Sequence, residues 1–249
     1  MHPALTVAGQ PLQYLWSQFL SFTWPVLCLL CDNPTTRRTP WLCTNCLEQL
    51  ERNAAQRLPC ARCGVNHATT ECTCDLVWDH PFSRIVSLLD YDEQTAACMR
   101  HIKYHGRRSL ARFLAAHLAP ALPAGFFDEA AALVPVPLHP LRRLRRGYNQ
   151  AEVIAAGVLC AATTPPPVRT DILKRRRNTA TQTRLDRDQR RHNLRGAFAL
   201  TPAGRSWIRD RIVILVDDVV TTGATSASCS EPLLAAGARE VRVLSLARD

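Results

Sequence analysis

The chain has 249 residues, 47% of them hydrophobic and 21% charged, the balance of a water-soluble globular protein large enough to bury a good core in one or two domains. Its 31 Lys and Arg against 21 Asp and Glu leave a formal net charge of +10, which favours polyanionic partners, phosphates or nucleic acid, and says nothing of the fold. No run of about eighteen apolar residues exists, which excludes a spanning helix, and the apolar stretch near the N-terminus has no Lys or Arg before it and is interrupted by Gln13, Ser17, Gln18 and Ser21. That is a poor signal peptide, so a cytoplasmic protein is expected.

Leu12, Leu15, Trp16, Phe19 and Leu20 fall on one face of an amphipathic helix. Its polar face lacks basic residues, so the face is expected to pack on its own protein rather than on a membrane. Four cysteine pairs follow: Cys28 and Cys31, Cys43 and Cys46, Cys60 and Cys63, and Cys72 and Cys74. With no export signal, thiols at this spacing read as metal ligands rather than disulfides. Zinc takes four soft ligands in a tetrahedron, and each tight two-cysteine turn supplies two. The first two pairs signal a zinc ribbon, and the third is also strong, with Gly64 suited to the turn. The fourth has one residue between its cysteines instead of two, so His67 could replace a ligand there, or the second site could be distorted or empty. Pairing in sequence order and alternation between two sites both stay open. One or two structural Zn²⁺ ions are expected, because four thiolates leave no open coordination position for chemistry. Cys98, Cys160 and Cys229 lie outside the pattern and read as small buried apolar residues.

After Pro81 the texture becomes that of an α/β domain, which places a domain boundary at 80/81. Residues 84–91 read as a strand and 93–104 as a helix. Gly106 closes that helix, and Leu110, Phe113, Leu114 and Leu118 mark another. Residues 131–137 form a short strand that must stop at its prolines. A loop then carries Arg142, Arg143, Arg145, Arg146 and Gly147 up to Asn149, a good N-cap for a helix through Val153, Ile154 and Val158. Residues 168–173 read as another strand. A long polar stretch with Arg177, Thr179 and Gln182 leads into a basic helix through Arg187, Arg190, Arg191 and Asn193; such segments are functional lids or disordered. Between residues 100 and 195 there are 19 Lys and Arg against 6 Asp and Glu, an excess of 13, so the positive charge is concentrated there.

The stretch that organises the domain is VILVDDVVTTGAT. Five apolar residues, 212–216, form a buried strand that is broken by Asp217 and Asp218. Thr221, Thr222, Gly223, Ala224 and Thr225 then turn into a helix expected over 224–236, and a last strand over 241–246 closes the sheet. Unpaired N–H groups and the dipole at a helix N-terminus favour an anion, Gly223 permits close backbone approach, and the hydroxyls add donors. Paired carboxylates can accept from sugar hydroxyls or bind a metal-bridged sugar. In an open α/β sheet this turn and the arginine loop would both lie at the carboxyl ends of strands, where ligands bind.

This stretch resembles the phosphoribosyl pyrophosphate (PRPP) motif of type I phosphoribosyltransferases. The run VPVPLHPLRRLRRGYNQAE and the cysteine module are similar to those of the ComF family. The resemblance implies an α/β fold with a mainly parallel sheet flanked by helices, residues 81–249, behind an N-terminal helix and double zinc-ribbon module, residues 1–80. It implies PRPP bound with Mg²⁺, ribose hydroxyls on Asp217 and Asp218, the 5′-phosphate on the turn 221–225 and the pyrophosphate on the arginine loop. Within that loop Arg146 and Asn149 lie nearest the helix start, and Arg177, Thr179 and Gln182 match the family's flexible hood. It also implies work in DNA uptake or utilisation, with DNA-uptake machinery proteins as partners. Three readings stand: an active phosphoribosyltransferase, a non-catalytic PRPP sensor in DNA handling, and a single-stranded nucleic-acid-binding module working through its zinc ribbons and basic face.

Overall fold

The structure, a computed structural model, describes residues 26–67, 72, 74, 79–177, 194 and 196–249. The expected N-terminal helix, Thr179, Gln182 and the basic helix through Arg187 to Asn193 lie outside the described residues. The chain divides into two compact units, one ending at Gln49 and one beginning at Leu50. The second cysteine cluster, expected within an N-terminal module of residues 1–80, therefore falls in the unit that holds the sheet.

In chain order the elements are α1 (Thr44–Gln56), β1 (Arg84–Asp90), α2 (Glu93–Tyr104), α3 (Arg108–Leu118), β2 (Ala130–Pro135), α4 (Pro140–Arg146) and α5 (Gln150–Ala161). They continue with β3 (Leu173–Arg175), β4 (Phe198–Leu200), α6 (Pro202–Trp207), β5 (Ile212–Val220), α7 (Ala224–Ala235) and β6 (Glu240–Arg248). Four strands pair in the order β1-β6-β5-β2, every pair parallel, while β3 and β4 form a separate antiparallel hairpin. The expected α/β architecture with a parallel sheet is the one observed. Strands of such a sheet are covered on both faces and read as continuous apolar runs. Residues 212–216 of β5 and 241–247 of β6 are buried without a break.

The differences from expectation have local causes. β5 does not end at the acids but continues to Val220, because β6 supplies a partner all the way: Asp217 lies opposite Ser245 and Val219 opposite Ala247. The arginine run expected as a loop winds into α4. Pro140 at the first helical position has the φ a helix needs, the His139 ring accepts from Leu141 N at 3.3 Å, and Gly147 closes the turn at φ 76°. Of the strand expected over 168–173, Val168 makes one isolated parallel bridge to Leu133, and the regular strand starts at Leu173.

Because all four main strands run the same way, their carboxyl ends meet on one edge, which gathers residues 90–91, 135–136, 217–220 and 248–249. Helix α5 is held against α3 by small residues. A β-carbon on Gly157 would lie 2.6 Å from Arg112 O and 2.7 Å from Ala115 Cβ. Gly157→Val forces these helices apart, an overpacking cost of roughly 1–3 kcal/mol, and a thermal melt should show a fall of roughly 3–10 °C in Tm. An unchanged melt would contradict this packing.

Candidate functional site

The carboxyl edge of the sheet opens into a cavity of about 420 Å³ whose lining includes Lys103, Arg142, Arg146, Arg175, Asp217 and Asp218, together with the turn from Val219 to Ser226. Each comes from a different part of the chain for a local reason.

Asp217 and Asp218 are successive residues of β5, so their side chains leave opposite faces of the strand. Each carboxylate accepts a main-chain N–H one residue on: Asp218 N donates to Asp217 Oδ1 at 2.9 Å and Val219 N to Asp218 Oδ1 at 2.7 Å. Lys103, on the last turn of α2, reaches Asp218 Oδ2 at 3.3 Å. Burial alone would depress its ammonium, but the carboxylates of Asp218 and Asp217 outweigh this and raise it. Asp217 is pushed up to about 7, chiefly by burial and then by the Asp218 charge, which Lys103 and Arg175 only partly offset. Acidic residues placed this way are ready to accept hydrogen bonds from hydroxyls.

The turn after β5 leads into α7 through Gly223, which has φ 75° and no side chain to cap the helix. A β-carbon there would also come within 3.2 Å of the His80 ring and 3.3 Å of Phe82 Cζ, so the position needs glycine on two counts. Ser226, in the first turn of α7, is 1% exposed and its Oγ has no hydrogen-bond partner among the described residues. Across the cavity, Gln150 at the start of α5 is 2% exposed; its Oε1 accepts from Arg146 Nη1 at 3.2 Å, while its Nε2 makes no well-formed hydrogen bond among the described residues. Buried polar atoms without partners are costly. Two of them lie on the lining of one cavity, beside a helix N-terminus, where a polar ligand could complete the bonding.

Arg142 and Arg146 line the cavity, whereas Arg143 is turned to Glu152 in a two-pronged pair at 2.9 and 3.2 Å, and Arg145 is exposed. Gly147 contributes the left-handed turn that ends α4. Asn149 is a linchpin of the backbone: it is 2% exposed, its Oδ1 accepts from Ala151 N at 3.1 Å, and its Nδ2 donates to Val136 O at 2.9 Å. It thus ties the arginine turn to the end of β2. A third guanidinium, Arg175, enters from the β3–β4 hairpin, stacked 5.1 Å over the Phe198 ring. Burial lowers Arg142 and Arg175, and each is lowered further by a neighbouring guanidinium, Arg146 beside the first and Arg142 beside the second. Cations held together against their own repulsion favour a bound anion. Arg177 is exposed, and its carbonyl accepts from Arg175 Nε at 3.3 Å.

Lys103, Gln150, Arg175 and Ser226 went unread in sequence. Lys103 did carry a signal, as a cation directly after the buried Ile102 in the last turn of α2. Arg175 stood in a run of four basic residues, with nothing to distinguish it from its neighbours.

The cysteines form two clusters in sequence order, Cys28, Cys31, Cys43 and Cys46, and Cys60, Cys63, Cys72 and Cys74, each with its four sulfurs within 4.8 Å of one another. Four converging thiols suit tetrahedral zinc, and each cluster could hold one ion. In the first, tight turns bring Cys28 N to Asn33 O at 2.8 Å and Asp32 N to Cys28 O at 3.1 Å. In the second, Gly64 at φ 70° closes the turn, with its N–H on Cys60 O at 3.0 Å. The short spacing between Cys72 and Cys74 does not keep either sulfur out, and His67 sits beside the cluster with Nε2 3.1 Å from Cys72 Sγ. Burial raises the Cys60 thiol, but main-chain N–H groups of Cys63 and Arg62 outweigh it and bring it down to about 6, which favours the thiolate that metal needs.

No family model matches the chain. Competence protein F of Haemophilus influenzae is 31% identical over 213 residues, covering 83% of this chain and 90% of that protein. The chain belongs to the ComF family. Another ComF-type relative, DNA utilization protein YhgH of Escherichia coli K12, is 30% identical over 236 residues, covering 91% of this chain and 98% of that protein. Among solved structures, a hypoxanthine phosphoribosyltransferase from Staphylococcus aureus matches 57% of this chain and 65% of its own at 13% identity, with a TM-score of 0.37. That likeness is too partial to argue from, and the site of this ComF chain rests on its own geometry.

The raised Asp217 has a consequence for stability. The folded carboxyl binds its proton more tightly than the unfolded chain does, so it favours folding below the ordinary value of 3.8, and that contribution is lost as pH rises to about 7. Asp217→Asn should therefore raise Tm at pH 8, by roughly 2–4 °C for each kcal/mol relieved, with the gain shrinking as pH is lowered toward 5. A gain that did not vary between pH 5 and 8 would refute the raised carboxyl.

Proposed function

We propose that this site binds phosphoribosyl pyrophosphate together with Mg²⁺, and that the protein does so in the handling of DNA. The observation that carries the reading is the convergence, in one cavity, of an acid pair, a helix N-terminus and three guanidiniums. PRPP has a group for each: two ribose hydroxyls, a 5′-phosphate and a pyrophosphate.

In this reading Asp217 and Asp218 accept from the ribose hydroxyls. The N–H groups at the start of α7, with Thr221, Thr222, Thr225 and Ser226 as hydroxyl donors, hold the 5′-phosphate. Arg142, Arg146 and Arg175 take the pyrophosphate, and Gln150 Nε2 finds its missing acceptor there. Mg²⁺, when bound, supplies neutralisation of the pyrophosphate charge. If a nucleophile attacks C1 of the ribose, these arginines stabilise the negative charge that grows on the pyrophosphate as the C1–O bond lengthens, and no covalent nucleophile is required of the protein. The names of the relatives, competence protein and DNA utilization protein, support a place in taking up or using DNA. The two cysteine clusters would each carry a structural zinc ion.

PRPP with Mg²⁺ should raise Tm, since a ligand present at 100 times its Kd stabilises by about 2.7 kcal/mol. Asp217→Asn combined with Asp218→Asn should abolish that shift while the protein remains folded. A wild-type melting curve that did not respond to PRPP and Mg²⁺ would end this reading.

A further inference from the structure

Arg248, the last residue of β6, joins two features treated separately so far. Its backbone pairs with both neighbours of β6, lying opposite Asp90 in β1 and Val220 in β5. Its side chain donates from Nε to Cys63 O at 3.1 Å and from Nη1 to Val220 O at 3.1 Å, and Nη1 also reaches Thr221 O. One planar guanidinium thus bridges a metal-ligand turn and the first residues of the phosphate turn.

The second cysteine cluster is in turn fixed to the sheet. Ile85 N donates to Arg62 O at 2.8 Å, between two of the cysteines. The Gly64 α-carbon is pressed so closely on β1 that a β-carbon would lie 2.8 Å from Ile85 O. The buried Arg57 donates to Gly64 O at 2.9 Å and to Asp90 at 2.8 Å, and also to Ser87 O. The phosphate turn is also backed by His80 and Phe82, whose rings stack on each other at 4.9 Å and would lie 3.2 and 3.3 Å from a β-carbon on Gly223.

We infer that Arg248 is a positioning residue through which the metal-bound second cysteine cluster holds the phosphate turn in its binding shape. The inference rests on the reading of that turn as a phosphate site. An ion shared by the four cysteines would tie the 60–64 turn to Cys72 and Cys74; without it that tie is lost and the Cys63 carbonyl is held less firmly. Freed from Cys63, the guanidinium no longer sets the Val220 and Thr221 carbonyls, and the N–H groups that follow them lose their common aim.

The test is amide hydrogen exchange on the zinc-loaded full chain, following peptides over 219–226 with β2 peptides as a control, in parallel with zinc content and PRPP–Mg²⁺ titration. Arg248→Met should keep the wild-type zinc content and β2 exchange, speed exchange over 219–226 by about tenfold, and weaken PRPP binding by a similar factor. Arg248→Lys, which keeps the charge but loses the fork, should fall between. Cys60→Ser should lose one zinc ion and speed exchange over the same residues, and adding Arg248→Met to it should do little more, since both act through one link. Exchange over 219–226 that stays at the wild-type rate in Arg248→Met, or in Cys60→Ser after zinc is lost, would overturn the coupling. Failure of the wild type to bind PRPP would overturn the ligand assignment instead, and the exchange measurement would still decide the link.

Discussion

Two carboxylates in adjacent positions at the end of an apolar strand are an electrostatic burden, and the edge of this sheet is arranged around them. β5 brings Asp217 and Asp218 out of a fully buried run, and at Asp217 desolvation and the neighbouring Asp218 charge both oppose ionisation. Lys103 supplies the nearest compensation, 3.3 Å from Asp218, and Arg175 acts on Asp217 from the hairpin. The compensation is incomplete, which is the state expected of groups placed to meet a ligand rather than to stabilise the fold. Elsewhere on the cavity lining Arg142 and Arg146 repel one another, and Gln150 and Ser226 each carry a buried polar atom with no hydrogen-bond partner among the described residues. One cavity thus gathers acids, guanidiniums and unsatisfied polar atoms, a lining suited to a ligand that carries both hydroxyls and phosphates.

Much of this was legible in the sequence because its local signals are strong. The apolar run 212–216, the glycine at 223 and the Asn149 cap each constrain the backbone within a few residues, and the helices over 93–104 and 150–161 are where the sequence pattern puts helices. Four cysteine pairs at ligand spacing fix their own chemistry, and the structure adds that they close in sequence order. What the sequence withheld depends on contacts between distant segments. Arg142 and Arg146 face the cavity while Arg143 pairs with Glu152, a choice made by the helical turn of α4. Lys103 becomes a site residue only because α2 ends beside β5, and Arg175 only because its hairpin folds over the same edge. Such residues have no motif; their role arises from pairing across more than a hundred positions or from a neighbouring wall.

The cysteine clusters divide in the same way between local and distant information. Their ligands are set by short turns, but the second cluster lies within the unit that holds the sheet, anchored by Arg57, Ile85 and Arg248. Four converging thiols so near the carboxyl edge suit a structural metal that would help to keep that edge in shape.

The central claim is that one polyanionic sugar occupies the cavity. A crystal structure of the zinc-loaded protein soaked with PRPP and Mg²⁺ tests it most directly. The account predicts the 5′-phosphate on the N–H groups of residues 222–226, the ribose hydroxyls on Asp217 and Asp218, and the pyrophosphate among Arg142, Arg146 and Arg175. Ligand density elsewhere on the surface, or a phosphate that contacts the arginines while the 221–225 turn stays empty, would contradict it.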